Sequence, residues 1–492
     1  MTIDGKVISR RAFLVGSATA AVVACTSTKS SSTTSTSVAA GTATSTVTTT
    51  TILPTSAPPT MVTTLNNPTF TSTPFTLGVP SVRKAIEKLE PGTTYHYRFT
   101  AGTFTSTIGR TKTAPKTGST APVKFGFVSC QHYELGKYGV HAAMAHDDID
   151  VVVFLGDFIY EYAPLGGMPR EHLGGECKTL ADYRRRYALY LTDPDIQASR
   201  AAHPWLVIWD DHEIVNNYHG DGGAPTQTAG AEFKARQAAA YAAWWEHQPT
   251  STPQPTATQA EIYRTVNWGL ANFYLTDGRQ YRTPDGCEAL ADGFGKPCPA
   301  PLAGEIASVL GAKQEAWLAD ALKTSSAKWD VLTASTMMGR IKVGTAGISL
   351  VNLDQWDGYT NATDRVLKSI PVGRDVVVIT GDLHTSVVAD LITDIDTPAA
   401  KIIATEFVGP SVSSWADPTY DKLVTASLPL NPNVKYFEGK AHGYVRCDVT
   451  AEKFVATFRF IAGVHDAASP TVDAKKFAVN AGHPGALEVP LG

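Results

Sequence analysis

The chain has 492 residues, enough for one large domain and one or two small pieces at about 100–200 residues per domain. Hydrophobic residues make up 43% and charged residues 18%, a balance too apolar for a disordered chain and too polar for a bundle of membrane spans. A net charge of −4 gives no basic excess to neutralise a nucleic-acid backbone, and six cysteines over this length do not make a disulfide scaffold.

Residues 9–14 read Ser-Arg-Arg-Ala-Phe-Leu and lead into an apolar stretch from Ala12 to Ala24. That stretch is shorter than the roughly 20 residues a helix needs to cross a bilayer, so it reads as a twin-arginine export signal and not as a membrane span. The expected partner during export is the twin-arginine translocase, and the expected destination is extracytoplasmic. Val22-Val23-Ala24-Cys25 resembles the lipobox of bacterial lipoproteins, which makes Cys25 a candidate lipid anchor and residues 1–25 the export segment. The alternative is a peptidase site nearby with Cys25 incidental; membrane contact is expected only through the anchor. Residues 26–67 are dominated by Ser, Thr and Pro, a composition that cannot bury enough apolar surface to offset its ordering entropy, and are expected to form a flexible tether.

Ordered sequence is expected from Pro68, with a short β-rich domain over residues 68–120. Leu89-Glu-Pro-Gly-Thr-Thr-Tyr95-His-Tyr97-Arg-Phe99 alternates aromatic and polar residues after a Pro-Gly turn, and a second alternating run reaches Thr113-Ala-Pro115. The pattern predicts a hairpin, and the Leu-x-Pro-Gly-Thr-x-Tyr string resembles the tyrosine corner of fibronectin type III sandwiches. The segment has about half the length of a complete sandwich, so it is expected to be truncated or docked on the next domain.

A large α/β domain is expected over residues 121–465, with a carboxy-terminal extension from 466 to 492. Lys124–Ser129 is an apolar run ending at Cys130, residues 136–147 have a helical pattern, and Val151–Leu155 is a second run ending at Gly156-Asp157. Strand, helix, strand with polar residues beyond each strand is a βαβ layout, in which ligands collect at the carboxyl ends of the strands. The grammar recurs where Trp205–Trp209 runs into Asp210-Asp211-His212-Glu213, and where Val376–Thr380 runs into Gly381-Asp382-Leu383-His384. A strand-end Asp often only caps a helix, and a lone His is commonly a packed residue. Four such ends together point to a metal site. Asp157 and Tyr160, three residues apart, can turn toward one ion if the loop coils once. A phenolate and the Cys130 thiolate, with Asp157 and His384, make an anionic donor set that suits ferric iron better than zinc, calcium or magnesium. A second ion is left with mostly oxygen ligands, Asp157 as a bridge with Asn216 and Asp382, which suits calcium or another hard cation.

Ser129-Cys130-Gln131, Gly156-Asp-Phe-Ile-Tyr160-Glu-Tyr, Trp209-Asp-Asp-His-Glu213 with Asn216-Asn217, and Gly381-Asp-Leu-His384 resemble the signature blocks of PhoD-type alkaline phosphatases, within the calcineurin-like metallophosphoesterase superfamily and related to purple acid phosphatases. Further blocks around Gln314, Gly358, Gly409 and Arg446 fall in the same order, over about residues 80–465. The resemblance implies a four-layer αββα sandwich. It implies Fe³⁺ bound by Cys130, Asp157, Tyr160 and His384, and one or two Ca²⁺ bound through Asp157, Asn216 and Asp382, with a further ligand from Asp210, Asp211 or Asn217. Such cations would neutralise the phosphoryl oxygens and make hydroxide available near neutral pH. His212 is the candidate general acid, oriented by Asp211; its alternative is a hydrogen-bond donor to phosphate.

The expected activity is hydrolysis of phosphate monoesters, diesters or phosphodiester polymers, the second reading being a phospholipase D-like phosphodiesterase of the same fold. A non-catalytic surface ligand-binding lipoprotein is a remote alternative, and a monomer is favoured. Of the cysteines outside these roles, Cys287 and Cys298 flank a small loop that a disulfide would close, while Cys177 and Cys447 are left as a pair or as buried thiols.

Overall fold

The structure, a computed structural model, describes residues 47–52, 63–64, 88–101, 104–220, 222, 230–257, 259–284, 289–291, 293–296, 307–345, 348–392, 400–466 and 468–491. The export signal, Cys25, Cys287 and Cys298 lie outside the described residues.

Two seven-stranded mixed sheets carry the large domain. One runs, edge to edge, His483–Glu488, Thr471–Asn480, Lys453–Ile461, Gly443–Val449, Val123–Val128, Val151–Phe154, Trp205–Val207. Its last two pairings are parallel, as the βαβ spacing requires. The other runs Val434–Glu438, Ser386–Leu391, Ala404–Val408, Val376–Thr380, Trp329–Thr333, Ala271–Leu275, Arg264–Trp268, with three parallel pairings at its centre.

The central strands are apolar runs without alternation because both faces are covered. Val377 and Ile379 join a core that includes Phe125, Phe127 and Phe454, whereas Val376 and Val378 pack into a separate cluster with Leu318 and Leu322 of the helix Gly311–Thr324 and with Val366 and Leu367 of the helix Thr360–Ser369. The sheets meet through edge-to-face rings, Phe125 on Phe273 at 5.1 Å and Trp329 on Phe454 at 5.8 Å. On the far face of the first sheet, Gly126 lies under Met144 and Ile149; a Cβ there would come within 3.2 Å of both side chains, which is how closely the helix Gly139–Ala145 sits.

That helix starts three residues later than the sequence pattern suggests. A 3₁₀ turn, Tyr133–Leu135, comes first, and Gly136 is extended with φ −172°. The chain must pass Val464, whose Cβ would lie 2.7 Å from a Cβ at Gly136.

The small amino-terminal sheet has five strands, with Thr94–Ala101 paired to Val47–Ile52, Phe104–Thr105 and Gly109–Lys112. The Glu90 N–H donates to the Tyr95 phenol at 2.9 Å, which ties the phenol back to the backbone just upstream. Two sequence-based boundaries need correction. Val47–Ile52 and Thr63–Thr64 are strands inside the expected tether, where a run of β-branched residues favours an extended, paired chain. Residues 471–480 and 483–488 are no extension; they complete the first sheet, and Phe477 and Val479 are buried in its core.

Candidate metal centre

The carboxyl ends of Val123–Val128, Val151–Phe154, Trp205–Val207 and Val376–Thr380 deliver Cys130, Asp157, Asp210 to His212, and Asp382 with His384. Their side chains converge. Ligand atoms of Cys130, Asp157 and His384 lie within 4.8 Å of one another, as do those of Asp157, Asp210, Asp211 and Asp382, and those of Asp157, Asp211 and His212. Asp157 belongs to all three groups.

The backbone is strained at these positions. Among the described residues, positive φ occurs at six non-glycine positions, and five of them are Cys130 (59°), Asp157 (58°), Asn217 (52°), Asp382 (64°) and His384 (57°). Each costs about 1–3 kcal/mol and persists only where the surroundings enforce it. At Asp157 the enforcing group is Glu213: its buried carboxylate accepts the N–H groups of Phe158 at 2.6 Å, Asp210 at 2.9 Å and Asp157 at 3.0 Å, tying two loops together. Gly156 has φ 109°, and a Cβ there would lie 2.5 Å from the Asp210 nitrogen, so only glycine permits this approach.

In the first group the Tyr160 phenol is 2.9 Å from Asp157 Oδ2 and 3.2 Å from His384 Nε2, so Tyr160 joins Cys130, Asp157 and His384. His384 Nδ1 is 2.7 Å from the Trp415 carbonyl, which as acceptor fixes a proton on Nδ1 and leaves Nε2 facing the group. Ser414 lies 2.7 Å from the Tyr160 oxygen, and the Tyr160 ring packs against His132, tilted at 4.4 Å between centroids, and against His212, stacked at 4.1 Å. Burial, with Asp157 and Asp382 alongside, pushes the Cys130 thiol well above its ordinary pKa, and burial with Asp157 and Cys130 does the same to Tyr160. Both acids therefore need a cation before they ionise here.

The second group carries surplus negative charge. Burial first, then neighbouring carboxylates, raises Asp157 and Asp382 well above the usual carboxylate range. Arg279, fully buried, compensates in part: its Nε is 2.5 Å from Asp210 Oδ1 and its terminal nitrogens grip Asp354 at 2.7 and 2.8 Å. Even so, Asp210 Oδ2 and Asp211 Oδ1 are buried with no hydrogen-bond partner. Orphaned carboxylate oxygens among acids that cannot all ionise fit hard divalent cations, while thiolate, phenolate, carboxylate and imidazole together fit a ferric ion.

One expected contact differs. The carboxylate bonded to His212 is Glu161, with Oε2 2.8 Å from His212 Nδ1; Asp211 instead accepts the Asn217 N–H at 2.6 Å. Asp211 still acts at a distance. Burial alone would lower the His212 pKa, but Asp211, Asp157 and Glu161 carry it well above the ordinary value. Asn216 offers its amide oxygen to the Tyr162 phenol at 3.0 Å, and its N–H bonds Glu161 at 2.9 Å. Glu161, Glu213, Arg279 and Ser414 were not singled out from sequence. Arg279 had a usable signal, since the strand Ala271–Leu275 also ends in a polar turn, Thr276-Asp-Gly-Arg279. Cys177 and Cys447 are buried free thiols.

Comparison with known proteins agrees with this geometry. The family model for PhoD-like phosphatases matches residues 125–458, and that for their N-terminal domain matches residues 63–115. Alkaline phosphatase D of Bacillus subtilis (strain 168) is 38% identical over 390 residues, 77% of this chain and 66% of that protein, so the alignment spans just under two thirds of that relative's length. A solved structure described as that of PhoD superposes with a TM-score of 0.79 at 32% identity, covering 92% of this chain and 86% of the other. A purple acid phosphatase from yellow lupin (Lupinus luteus) seeds superposes at 0.52 with 12% identity, over 87% of this chain and 70% of the other, and shares the fold. The family model thus spans the second sheet, most of the first and every strand end that supplies the metal groups, and the chain belongs to the PhoD-like phosphatase family.

Proposed function

We propose that this protein is an exported, metal-dependent phosphoesterase acting on phosphate monoesters, diesters or both. The observation that carries the reading is the convergence of two chemically different donor groups on one carboxylate, Asp157. Cys130, Asp157, Tyr160 and His384 would hold Fe³⁺, and Asp157, Asp210, Asp211 and Asp382, with Asn216 as a further candidate, would hold Ca²⁺. Cations at these positions supply phosphoryl-oxygen polarisation and a lowered pKa for water, the two things that hydrolysis of an anionic ester requires.

The chain's own residues do the rest. His212, with Nδ1 held by Glu161, presents Nε2 as the proton donor to the departing ester oxygen, and its charge would also attract the phosphoryl group. Glu213 and the strained loops keep the donor groups in place before substrate arrives. Export by the twin-arginine pathway and anchoring through Cys25 are part of the same reading, since a pre-folded metalloprotein suits that route. Cys25→Ala should release the mature protein into soluble fractions; retention on the membrane would sink the anchor.

The decisive assay sets chromogenic monoester and diester substrates against the purified protein, with and without prolonged chelation and added Ca²⁺. Turnover that chelation abolishes and Ca²⁺ restores is expected. Indifference to chelation would remove the exchangeable second ion, and absence of turnover on both ester classes would favour a non-catalytic ligand-binding role.

A further inference from the structure

We infer that Arg279 is a positioning residue for the second cation group: its guanidinium fixes Asp210, through Nε, and Asp354, through both terminal nitrogens, so that Asp210 Oδ2 and Asp211 Oδ1 stay aimed at the ion site. The inference rests on the cation-binding reading above and concerns how that site is built. Arg279 has no exposed side-chain surface, and all three of its nitrogens already face carboxylates. It is therefore no hand for a substrate phosphate.

Its placement comes from the turn after the strand Ala271–Leu275. Asp277 accepts the backbone N–H groups of Arg279 and Gln280 at 3.0 Å each, which folds the turn back and points the guanidinium under the donor groups. Asp277 is itself gripped by the Trp209 indole at 3.1 Å, directly beside Asp210. Across the site, the longer contacts of Arg279 reach Asp382 at 3.6 Å and Asp211 at 3.7 Å. Asp354, the bidentate partner, also takes Arg282 at 3.0 Å, and the neighbouring Gln355 amide donates to Asp382 Oδ2. One buried arginine thus links Asp210 with the Asp354–Gln355 segment that holds Asp382. A planar fork that bonds two carboxylates at once is a task for guanidinium and not for ammonium.

Two accounts of Arg279 differ in sign. If it were only a positive charge, its removal would relieve repulsion of a nearby cation, and Ca²⁺ would bind more tightly. If it positions the carboxylates, removal lets Asp210 and Asp354 move apart and leaves buried charges unpaired, and Ca²⁺ binding weakens despite the lost repulsion. Direct Ca²⁺ binding by calorimetry on the iron-loaded full chain distinguishes them, with iron content followed by elemental analysis. Arg279→Met is expected to weaken Ca²⁺ binding by about 10- to 100-fold, the usual range for groups that orient metal ligands, with iron content unchanged. Arg279→Lys should recover little, since it restores the charge but not the fork. Asp354→Asn leaves Arg279 in place and weakens its grip, and is expected to give a smaller loss, of several-fold; it also serves if Arg279→Met does not fold. Unchanged or tighter Ca²⁺ binding in Arg279→Met or Asp354→Asn overturns the positioning role, as does full recovery in Arg279→Lys. A wild-type protein that binds no Ca²⁺ would instead sink the cation reading of the site.

Discussion

The two donor groups share Asp157 but are built on opposite principles. Around Cys130, Tyr160 and His384, nearly every polar atom has a neutral partner: Ser129 for the thiol, Ser414 for the phenol, the Trp415 carbonyl for the imidazole. Around Asp210, Asp211 and Asp382, charge is set against charge, with Arg279 in the middle and two carboxylate oxygens left over. The first group is a shaped, weakly acidic pocket that becomes anionic only when an ion displaces protons. The second crowds four carboxylates around one guanidinium, with Asp157 and Asp382 raised well above the usual carboxylate range, and is short of positive charge. The difference teaches that one ion would be selected by ligand type and the other by charge and size.

Breaking the shared member should have the largest effect. Asp157→Asn removes a charge from both groups, and turnover is expected to fall by about 10³-fold or more with loss of both metals on elemental analysis. Retention of either metal at full occupancy would show that the groups are less interdependent than the geometry says. Tyr160→Phe tests the first group alone. The ring keeps its packing volume between His132 and His212, so a loss of any phenolate-to-iron absorption band, with Ca²⁺ binding intact, reports the missing ligand oxygen. A colourless wild type containing only zinc would remove iron from the reading.

Glu161→Gln sharpens the comparison from the substrate side. It leaves every metal donor in place but weakens the charge that holds His212, and kcat is expected to drop about 10- to 100-fold with metal content unchanged. His212 must be protonated to donate, so activity is lost as pH rises through its pKa. Because Glu161 helps to raise that pKa, the alkaline limb should move to lower pH in the variant.

The smallest effect concerns the scaffold away from the donor groups. Burial raises Glu406 to about 7, against the Met338, Gly339 and Thr380 hydrogen bonds that act in the other direction. A carboxyl whose folded pKa is raised stabilises the fold below its unfolded value, and that contribution fades as pH climbs toward the folded value. The melting temperature should therefore decline between about pH 5 and 7, and Glu406→Gln should flatten that decline. An identical pH profile in the variant would assign the slope to other groups.

Much of the site was legible because its ligands follow apolar runs. Val151–Phe154 and Val376–Thr380 announce buried strands by composition, and the candidate ligands stand in the residues just past their ends, where a parallel sheet leaves a crevice. Cys130, Asp157, Tyr160, Asp210, Asp382 and His384 were read in that way. The pairing of His212 with Glu161 was not, because sequence adjacency favours Asp211, whereas the αL backbone at Asp157 and the turn after it bring Glu161 back toward His212 across 51 positions. The carboxy-terminal strands were misjudged for a related reason. Residues 471–480 are half-buried or exposed except at Phe477, Ala478 and Val479, too short an apolar run to announce a core strand until the Lys453–Ile461 strand offers a ladder.

The amino-acid sequence by itself determined which segments must be buried strands, which residues stand at their ends, and the family to which the chain belongs; hydrophobic runs and local turn chemistry act over a few residues and can be read directly. Only the tertiary structure decided which of those ends share a crevice, which carboxylate serves which histidine, and that Arg279 sits among the acids. Those outcomes depend on contacts between residues far apart in the chain, where burial raises the cost of an unpaired charge and the assembled sheets, not the local pattern, select its partner.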